Sequence, residues 1–327
     1  METDQITDIK FFIKLDSSGK PKPLEYDTHM LYLDCKHYEK ACRRNGRWKL
    51  PYTFSAEYVD IKHYTWQPTK NCIYAFRGMN KNGFIKKCIE SKIDYFYSDT
   101  GYLEFMRIVS YRSKQTRRMV YNGLHETSQM RAKEIFEKLN HLYTPEELKE
   151  RFLQFSGQSY DNFKLNNGNK IVKGDAILIV VPSGKSCKYY DTTEEEWLQK
   201  TKTEIKKYTD RPIVVRKKPH LNKRRRKPLV EDLASGKYHA MVTFNSIASL
   251  ESVMMGVPVI CLGENAGSAL GEAKMENIET PYFPKINKIR DHFLFLSCQQ
   301  YTIKEMIKCK WLKIMHALKG DEINKVK

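Results

Sequence analysis

A short run of small polar residues with one carboxylate carries the strongest chemical signal in the chain. Within residues 244–258, Asn245, Ser246 and Ser249 follow an apolar run, and Glu251 comes two positions later. Free N–H groups at the start of a helix attract phosphate, and a carboxylate beside them can accept hydrogen bonds from a ribose diol. Because the helix dipole also stabilises a carboxylate at that position, a purely structural role for Glu251 is the alternative. The pattern predicts a nucleotide-binding turn.

A second phosphate-binding candidate follows the apolar residues 176–181, in the order Ser183, Gly184 and Lys185. The phosphate loop of nucleoside triphosphatases needs a glycine five positions before Gly184, and that position holds Ile179, which excludes this class. A Ser-Gly-Lys loop at the end of a strand still binds phosphate through its amides and its ammonium. The alternative is a surface turn with a solvated lysine.

Basic residues follow the next apolar run, 212–216, and should lie at the same sheet edge. Arg216 and Lys218 are the candidates to neutralise a diphosphate, because strand ends hold side chains more firmly than loops do. Two denser basic runs, 112–118 and 223–227, are candidates for contacts with an acceptor or nucleic acid, and for 223–227 a solvated loop with nothing bound is the alternative. These candidates are Arg112, Arg117, Arg118, Lys223, Arg224, Arg225 and Arg226.

One acid in the first half of the chain is a candidate general base. Asp99 follows the short apolar strand 95–97 and precedes Gly101. A carboxylate at the end of a strand in a cleft can take a proton from an attacking hydroxyl. An Asx-turn aspartate that bonds its own backbone is the alternative. The chain has no Asp-x-Asp pair, no Cys-x-x-Cys pair and no histidines at metal-ligand spacing, so we expect no metal site.

The charge balance predicts an anionic partner. Lys and Arg number 57 against 39 Asp and Glu, a formal net charge of +18. Nucleic acid, an anionic membrane and a nucleotide all fit such a charge, and a merely basic surface from an AT-rich genome is the alternative. We expect a cytoplasmic protein, because no apolar run could span a membrane, the first residues lack a secretory signal, and the cysteines are scattered.

Alternating apolar runs and helical patterns must position these residues. Strands are predicted over 71–76, 95–97, 176–181, 212–216, 240–243 and 259–262, with helices over 83–91, 144–152, 193–208 and 228–236. A weaker pattern indicates a strand over 30–33. Strands that alternate with helices predict parallel, doubly wound sheets. We therefore expect an α/β fold with two Rossmann-like domains facing a cleft, over 1–165 and 166–290. A polar connection over 156–174 and C-terminal helices over 291–327 that pack back on the body complete the prediction.

These segments resemble those of GT-B glycosyltransferases. Residues 244–258 are similar to the S-x-x-x-x-E-(A/S)-x-x-x-G-x-P signature of many members, and residues 98–103 resemble the E-D-G-(F/Y)-L segment of capsule-type Kdo transferases. The chain also resembles sugar-transferase-like proteins of tailed phages. The resemblance implies metal-independent transfer of a sugar from a nucleotide donor, which we expect to be UDP-linked, without a further cofactor. It also implies that Glu251 holds the ribose and that Asp99 deprotonates the acceptor.

Three functions remain open from the sequence. The first is a phage enzyme that glycosylates hydroxymethylated bases of DNA in the host cytoplasm, which uses the positive charge and would require base flipping. The second is a transferase that acts on a surface polysaccharide or lipid, where the charge would meet an anionic membrane or glycan. The third is a non-catalytic nucleic-acid-binding protein with the same fold. The sequence leaves the sugar, the stereochemical outcome and the oligomeric state undetermined.

Overall fold

The computed structural model describes residues 7–21, 23–47, 52–60, 66–79, 82–106, 116–218 and 228–323. The described residues divide into two compact units. The first unit takes its residues from Met1–Gly101, Ser110–Leu124 and Gln299–Lys327, and the second from Tyr102–Val109 and His125–Cys298.

Strands and helices alternate along most of the chain. The first half holds β1 (Thr7–Leu15), α1 (Pro23–Arg44), β2 (Tyr52–Asp60), β3 (Cys72–Arg77), α2 (Asn82–Glu90), β4 (Tyr95–Thr100), β5 (Thr116–Tyr121), α3 (Ala132–Leu139) and α4 (Pro145–Ser156). The second half holds β6 (Ala176–Val180), α5 (Gly184–Tyr189), α6 (Glu194–Ile205), β7 (Ile213–Arg216), α7 (Leu229–Leu233), β8 (Tyr238–Thr243), α8 (Ala248–Met254), β9 (Val259–Cys261), α9 (Ile286–Cys298), β10 (Gln300–Thr302), α10 (Ile303–Ile307) and α11 (Lys310–Ile323). Short 3-10 helices cover Glu104–Met106, Ser268–Leu270 and Met275–Asn277.

The first unit is built on a six-stranded sheet in the order β10-β5-β4-β3-β1-β2. Strands β2, β1, β3 and β4 are parallel, whereas β5 runs antiparallel to both β4 and β10. Aromatic side chains fill both faces: Phe12 packs against Trp66 and Phe84 on one side, and Phe96 packs against Trp311 of α11 on the other. Because both faces are covered, β3 at the middle of the sheet is buried along all but its last residue.

The second unit is built on a four-stranded parallel sheet in the order β7-β6-β8-β9. Ile177, Ile179, Val242 and Ile260 form its buried core with Trp197 of α6. The chain moves from β6 outward to β7 and then crosses over to β8 on the other side of β6. The loops after β6 and β8 therefore leave the sheet in opposite directions, and this reversal opens a crevice in which α/β proteins bind ligands.

The helix starts that the sequence predicts are built by side-chain caps. Thr144 precedes α4 and Thr193 precedes α6, and each hydroxyl accepts a hydrogen bond from the backbone N–H three residues later. Glu147 and Glu196 complete the two capping boxes by accepting from the backbone N–H of the capping threonines. Such caps satisfy backbone donors that the first helical turn leaves without partners.

The α/β class with two parallel-rich sheets and helices at the C-terminus is confirmed, but several boundaries differ from the prediction. The chain does not divide at residue 165, because α3 and α4 belong to the second unit and the residues from Gln299 onward return to the first. Within residues 156–174, Asn166 and Val172 donate backbone hydrogen bonds to Met254 and Gly256, so this stretch packs inside the second unit. Residues 30–33, which the sequence weakly indicates as a strand, lie in α1.

Candidate functional site at the carboxyl edge of the second sheet

The second sheet brings the predicted phosphate-binding loop to its carboxyl edge. Ser183 follows β6 and caps α5, and its Oγ accepts a hydrogen bond from the Ser186 backbone N–H at 3.3 Å. Gly184 and Lys185 form the first turn of α5 and are exposed. The Lys185 side chain is therefore accessible to an anion from solvent, as a phosphate site requires.

A side-chain hydrogen bond joins the loops after β6 and β8 at the topological switch point. The hydroxyl of Ser186 donates to Oδ1 of Asn245 at 2.6 Å. The two strands pair directly beneath this contact, where Val180 is the Cα partner of Thr243. Asn245 is therefore held at the crevice by a residue from the neighbouring loop.

Glu251 lies in α8, half-buried, with no hydrogen-bond partner among the described residues. Burial raises the pKa of its carboxyl from 4.5 to about 7, and the charge of Arg216 opposes that rise. Arg216 ends β7, and its guanidinium pairs with Asp232 at 3.1 Å. Glu251 thus has oxygen atoms available as acceptors and titrates near neutral pH, as expected for a group in a functional site.

The two serines of the turn differ in their surroundings. Ser249 is fully buried, and its hydroxyl lies within hydrogen-bond distance of two acceptors, Oδ1 of Asn265 and the backbone oxygen of Ser246, which share its single hydrogen. Gly267 packs directly on this serine, so that a Cβ there would overlap its side chain. Ser246 is partly exposed, and its Oγ accepts from the Ala248 N–H. The Ser249 hydroxyl is thus engaged inside the protein, whereas the Ser246 hydroxyl lies nearer solvent.

Three further residues join this edge without having been predicted from the sequence. Glu264, in the loop after β9, accepts a hydrogen bond from the His125 N–H at 3.1 Å. Tyr190 packs its ring edge-on against Phe244, with 4.7 Å between ring centroids. Burial first, and then the charge of Glu264, raises the pKa of the Tyr190 hydroxyl. Glu264 follows a strand end and could have been found by the strand-end argument, whereas His125 and Tyr190 carry no local signal.

Asp99 lies in the first unit at the end of β4, opposite Arg118 of β5. Its Oδ2 accepts from the Tyr97 hydroxyl at 2.7 Å and lies 3.6 Å from Nη2 of Arg118. Its Oδ1 accepts from the Thr100 N–H at 2.8 Å. The bond from the Thr100 N–H to this carboxylate fits a structural turn aspartate. Its partial exposure fits a general base.

The predicted basic surface of the first half is corrected by the structure. Arg117 and Arg118 lie in β5 and are only 9% and 5% exposed. The Arg118 guanidinium donates to the Thr100 backbone oxygen at 2.9 Å. These two side chains are therefore buried within the first unit rather than presented to a duplex. Lys218, by contrast, is exposed after β7.

Several predicted residues lie outside the described part of the chain, namely Arg112, Lys223, Arg224, Arg225 and Arg226. Within the described part, no group of three His, Cys, Asp or Glu side chains is arranged to hold a metal ion. The described helices include none with the length and apolar character needed to cross a membrane.

Comparisons with known proteins give matches at the level of structure. No family model and no curated protein matches the sequence. The structure of the KpsC β-Kdo 2,7-transferase from Thermosulfurimonas dismutans matches with a TM-score of 0.41 and 10% identity, over 94% of this chain and 99% of that chain. The KpsC β-Kdo 2,4-transferase from the same organism matches with a TM-score of 0.37 and 13% identity, over 73% and 83%.

A third match is a fatty-acid ABC transporter substrate-binding protein from Thermomonospora curvata. Its TM-score is 0.25 and its identity 14%, over 79% of this chain and 58% of that chain. At these identities the likeness concerns the fold alone.

Proposed function

We propose that this protein is a glycosyltransferase that moves a sugar from a nucleotide donor to a hydroxyl group. The observation that carries the proposal is the partial burial and raised pKa of the Glu251 carboxyl at the carboxyl edge of the second sheet. This carboxylate is half-buried, has no hydrogen-bond partner among the described residues and lies within the field of Arg216. It also lies in the segment that resembles the donor-site signature of GT-B enzymes.

The nucleotide would lie across the crevice at the switch point. Glu251 would accept hydrogen bonds from the ribose hydroxyls, and Asn245, held by Ser186, would contribute its amide. Tyr190 and Phe244 provide adjacent aromatic surface, and a nucleobase binds well beside such rings. A UDP-linked sugar is the donor that we expect.

The phosphates of the donor would meet the basic and hydroxyl groups of the same edge. Lys185, Arg216 and Lys218 supply positive charge, and Ser183, Ser246 and the first turn of α5 supply donors. Positive charge placed where the leaving phosphate becomes anionic stabilises the transition state. In this proposal these side chains supply the stabilisation that a metal ion supplies in other transferases.

Asp99 is the proposed general base. Its carboxylate would take the proton of the acceptor hydroxyl while the acceptor oxygen bonds to the anomeric carbon of the sugar. The bond from that carbon to the phosphate oxygen breaks, and its electron pair leaves with the nucleotide. A positioned base of this kind contributes rate factors of about 10² to 10⁴.

For the acceptor we propose a hydroxyl of a glycan, as in capsule-type Kdo transferases, which the segments around Asp99 and Glu251 resemble. The burial of Arg117 and Arg118 removes part of the basic surface on which a DNA acceptor depended. Hydroxymethylated DNA is the second candidate, because the net charge of +18 still favours an anionic partner.

A transfer assay tests both acceptors. The protein is incubated with UDP-sugars or nucleotide-linked Kdo, and with an oligosaccharide, hydroxymethylated duplex DNA or plain duplex DNA as acceptor. We expect product with the oligosaccharide and loss of product in Glu251→Gln. Transfer only to hydroxymethylated DNA would overturn the glycan assignment. Absence of transfer from every donor, together with absence of nucleotide binding by calorimetry, would overturn the enzymatic function.

A further inference from the structure

We propose that the first unit contains a second ligand site, for a small organic anion with an apolar body. A cavity of about 220 Å³ lies between one face of the first sheet and the helices α1 and α10. Its floor is formed by Phe11, Ala75 and Met119, which are buried strand residues on one face of the sheet. Polar side chains lie among the other, largely apolar lining residues, so the cavity combines the two characters that small-molecule sites share.

A buried hydroxyl in the wall lacks a protein partner. Thr28 of α1 lines the cavity and is only 4% exposed, and its Oγ1 makes no hydrogen bond within the described part of the chain. A buried hydroxyl without a hydrogen bond destabilises the fold, and a polar ligand atom would relieve that cost. Ser98 of β4 adds a second hydroxyl to the same cavity.

The charges around the cavity favour an anion. Arg77 at the end of β3 and Arg117 in β5 both line it, and the single acid among its described lining residues is Asp34. The strand register brings the two arginines to one face, because Arg77 pairs with Ser98, and Ser98 pairs with Met119, two residues beyond Arg117. Positive charge at a partly buried site interacts strongly with a ligand anion because solvent screens it less.

The residues at the opening of the cavity and its volume limit the character and the size of the rest of the ligand. Met30 and Ile303 line it and are 37% and 42% exposed, so apolar surface lies beside the opening. An apolar ligand body would cover them. The volume of about 220 Å³ is smaller than the roughly 300–1,000 Å³ of drug-sized sites. A short-chain carboxylate or a single-ring phosphate monoester therefore fits, and both share an anionic head on an apolar body.

This cavity is distinct from the position of Asp99. Successive residues of a strand point to opposite faces of a sheet. Ser98 lines the cavity, so Asp99 points to the other face, and in β5 Arg117 faces the cavity while Arg118 pairs with Asp99. The second site therefore does not depend on the proposed transfer reaction.

Calorimetry with defined probes tests the site. Hexanoate and phenyl phosphate represent the two anionic heads, while hexanol and inorganic phosphate each carry only half of the required chemistry. We expect saturable binding of at least one amphiphilic anion, and binding at least about tenfold weaker for hexanol and inorganic phosphate. Absence of saturable binding by both anions at millimolar concentration, or equal binding of hexanol, would overturn the proposal.

Variants then locate the binding. Arg77→Gln removes a lining charge, and Thr28→Val removes the hydroxyl with little change of shape. We expect the first to weaken binding of the anion at least about tenfold and the second several-fold. Lys36→Gln is the matched control, because Lys36 lies on the same helix as Asp34 but pairs with Glu39. Unchanged affinity in Thr28→Val and Arg77→Gln, each with the melting temperature of the parent protein, would exclude this cavity as the site.

Discussion

Ser186 and Asn245 are joined by a hydrogen bond of 2.6 Å between loops that leave neighbouring strands of the second sheet. The two residues lie far apart in the sequence, yet the bond connects the two parts of the chain that diverge at the switch point. Because Asn245 also begins the turn that leads to Glu251, this contact would couple the proposed phosphate-binding loop to the proposed ribose site. Its loss should therefore affect nucleotide binding more than overall stability.

Ser186→Ala tests this coupling. Without the hydroxyl, Asn245 loses this hydrogen bond, and we expect the free energy of unfolding to fall by about 1 kcal/mol. The Kd for UDP should rise several-fold, as measured by calorimetry. Ser252→Ala is the matched control. Ser252 lies in α8, and its buried hydroxyl donates to the backbone oxygen of Val257, just beyond that helix. Equal effects of the two substitutions on UDP binding would show that Ser186 acts only through stability.

The raised pKa of Glu251 predicts how the stability of the protein depends on pH. Its pKa is 4.5 in an ordinary environment and about 7 in the folded protein. Between these values the folded protein retains a proton that the unfolded chain has lost, so stability falls as the pH rises through this range and is constant above it. The change is at most about 3 kcal/mol. Urea denaturation at pH 5, 6, 7 and 8 should show this fall in the parent protein and a smaller one in Glu251→Gln.

Arg216→Gln should shift the pH range over which the stability of the protein falls. The charge of Arg216 lowers the pKa of Glu251, so its removal should raise that pKa further and extend the loss of stability to higher pH. The Kd for UDP should also rise, because a charge near the proposed phosphate position is lost. Lys202→Gln, a change of one positive charge on α6, controls for net charge. A pH profile identical to that of the parent would show that Arg216 does not act on Glu251.

Asp99→Asn separates catalysis from binding. The asparagine retains an oxygen that can accept one of the hydrogen bonds from Tyr97 and Thr100, and the ion pair with Arg118 is lost. We expect transfer to fall by about 10² to 10⁴ while the Kd for UDP stays unchanged. Asp161→Asn, which breaks the exposed pair with Lys149, is the control. Undiminished turnover in Asp99→Asn would leave the carboxylate a structural role only.

Gly267→Ala probes the packing beneath the turn. A Cβ at this position would overlap the side chain of Ser249, which is buried and bonded to Asn265. We expect the free energy of unfolding to fall by about 1–3 kcal/mol, measured by urea denaturation. Gly83→Ala is the control, because a Cβ there meets no atom within 4 Å and alanine is the better helix former. Equal stability of the two variants would contradict the tight packing at Gly267.

The predicted strands after residue 70 and the turn at 244–258 follow from local patterns, which the structure reproduces closely. Apolar runs that end in small polar residues place strand ends, and parallel strands bring those ends to one edge. For that reason local patterns alone predict a common edge for Ser183, Arg216, Asn245 and Glu251. Whether they bind a nucleotide stays a prediction.

Other features depend on packing between distant parts of the chain, which local patterns do not contain. Strand β10 returns from the C-terminus to pair with β5, and in the folded unit Arg117 and Arg118 of β5 are buried, although the sequence indicates a basic surface there. The division into units likewise reflects which residues contact each other rather than chain order. The sequence by itself determined the α/β class and the residues at the strand ends, because these follow from local periodicity. Only the tertiary structure decided which charges are buried, how Glu264 and His125 meet, and where the cavity beside Thr28 forms, because burial depends on neighbours distant in sequence.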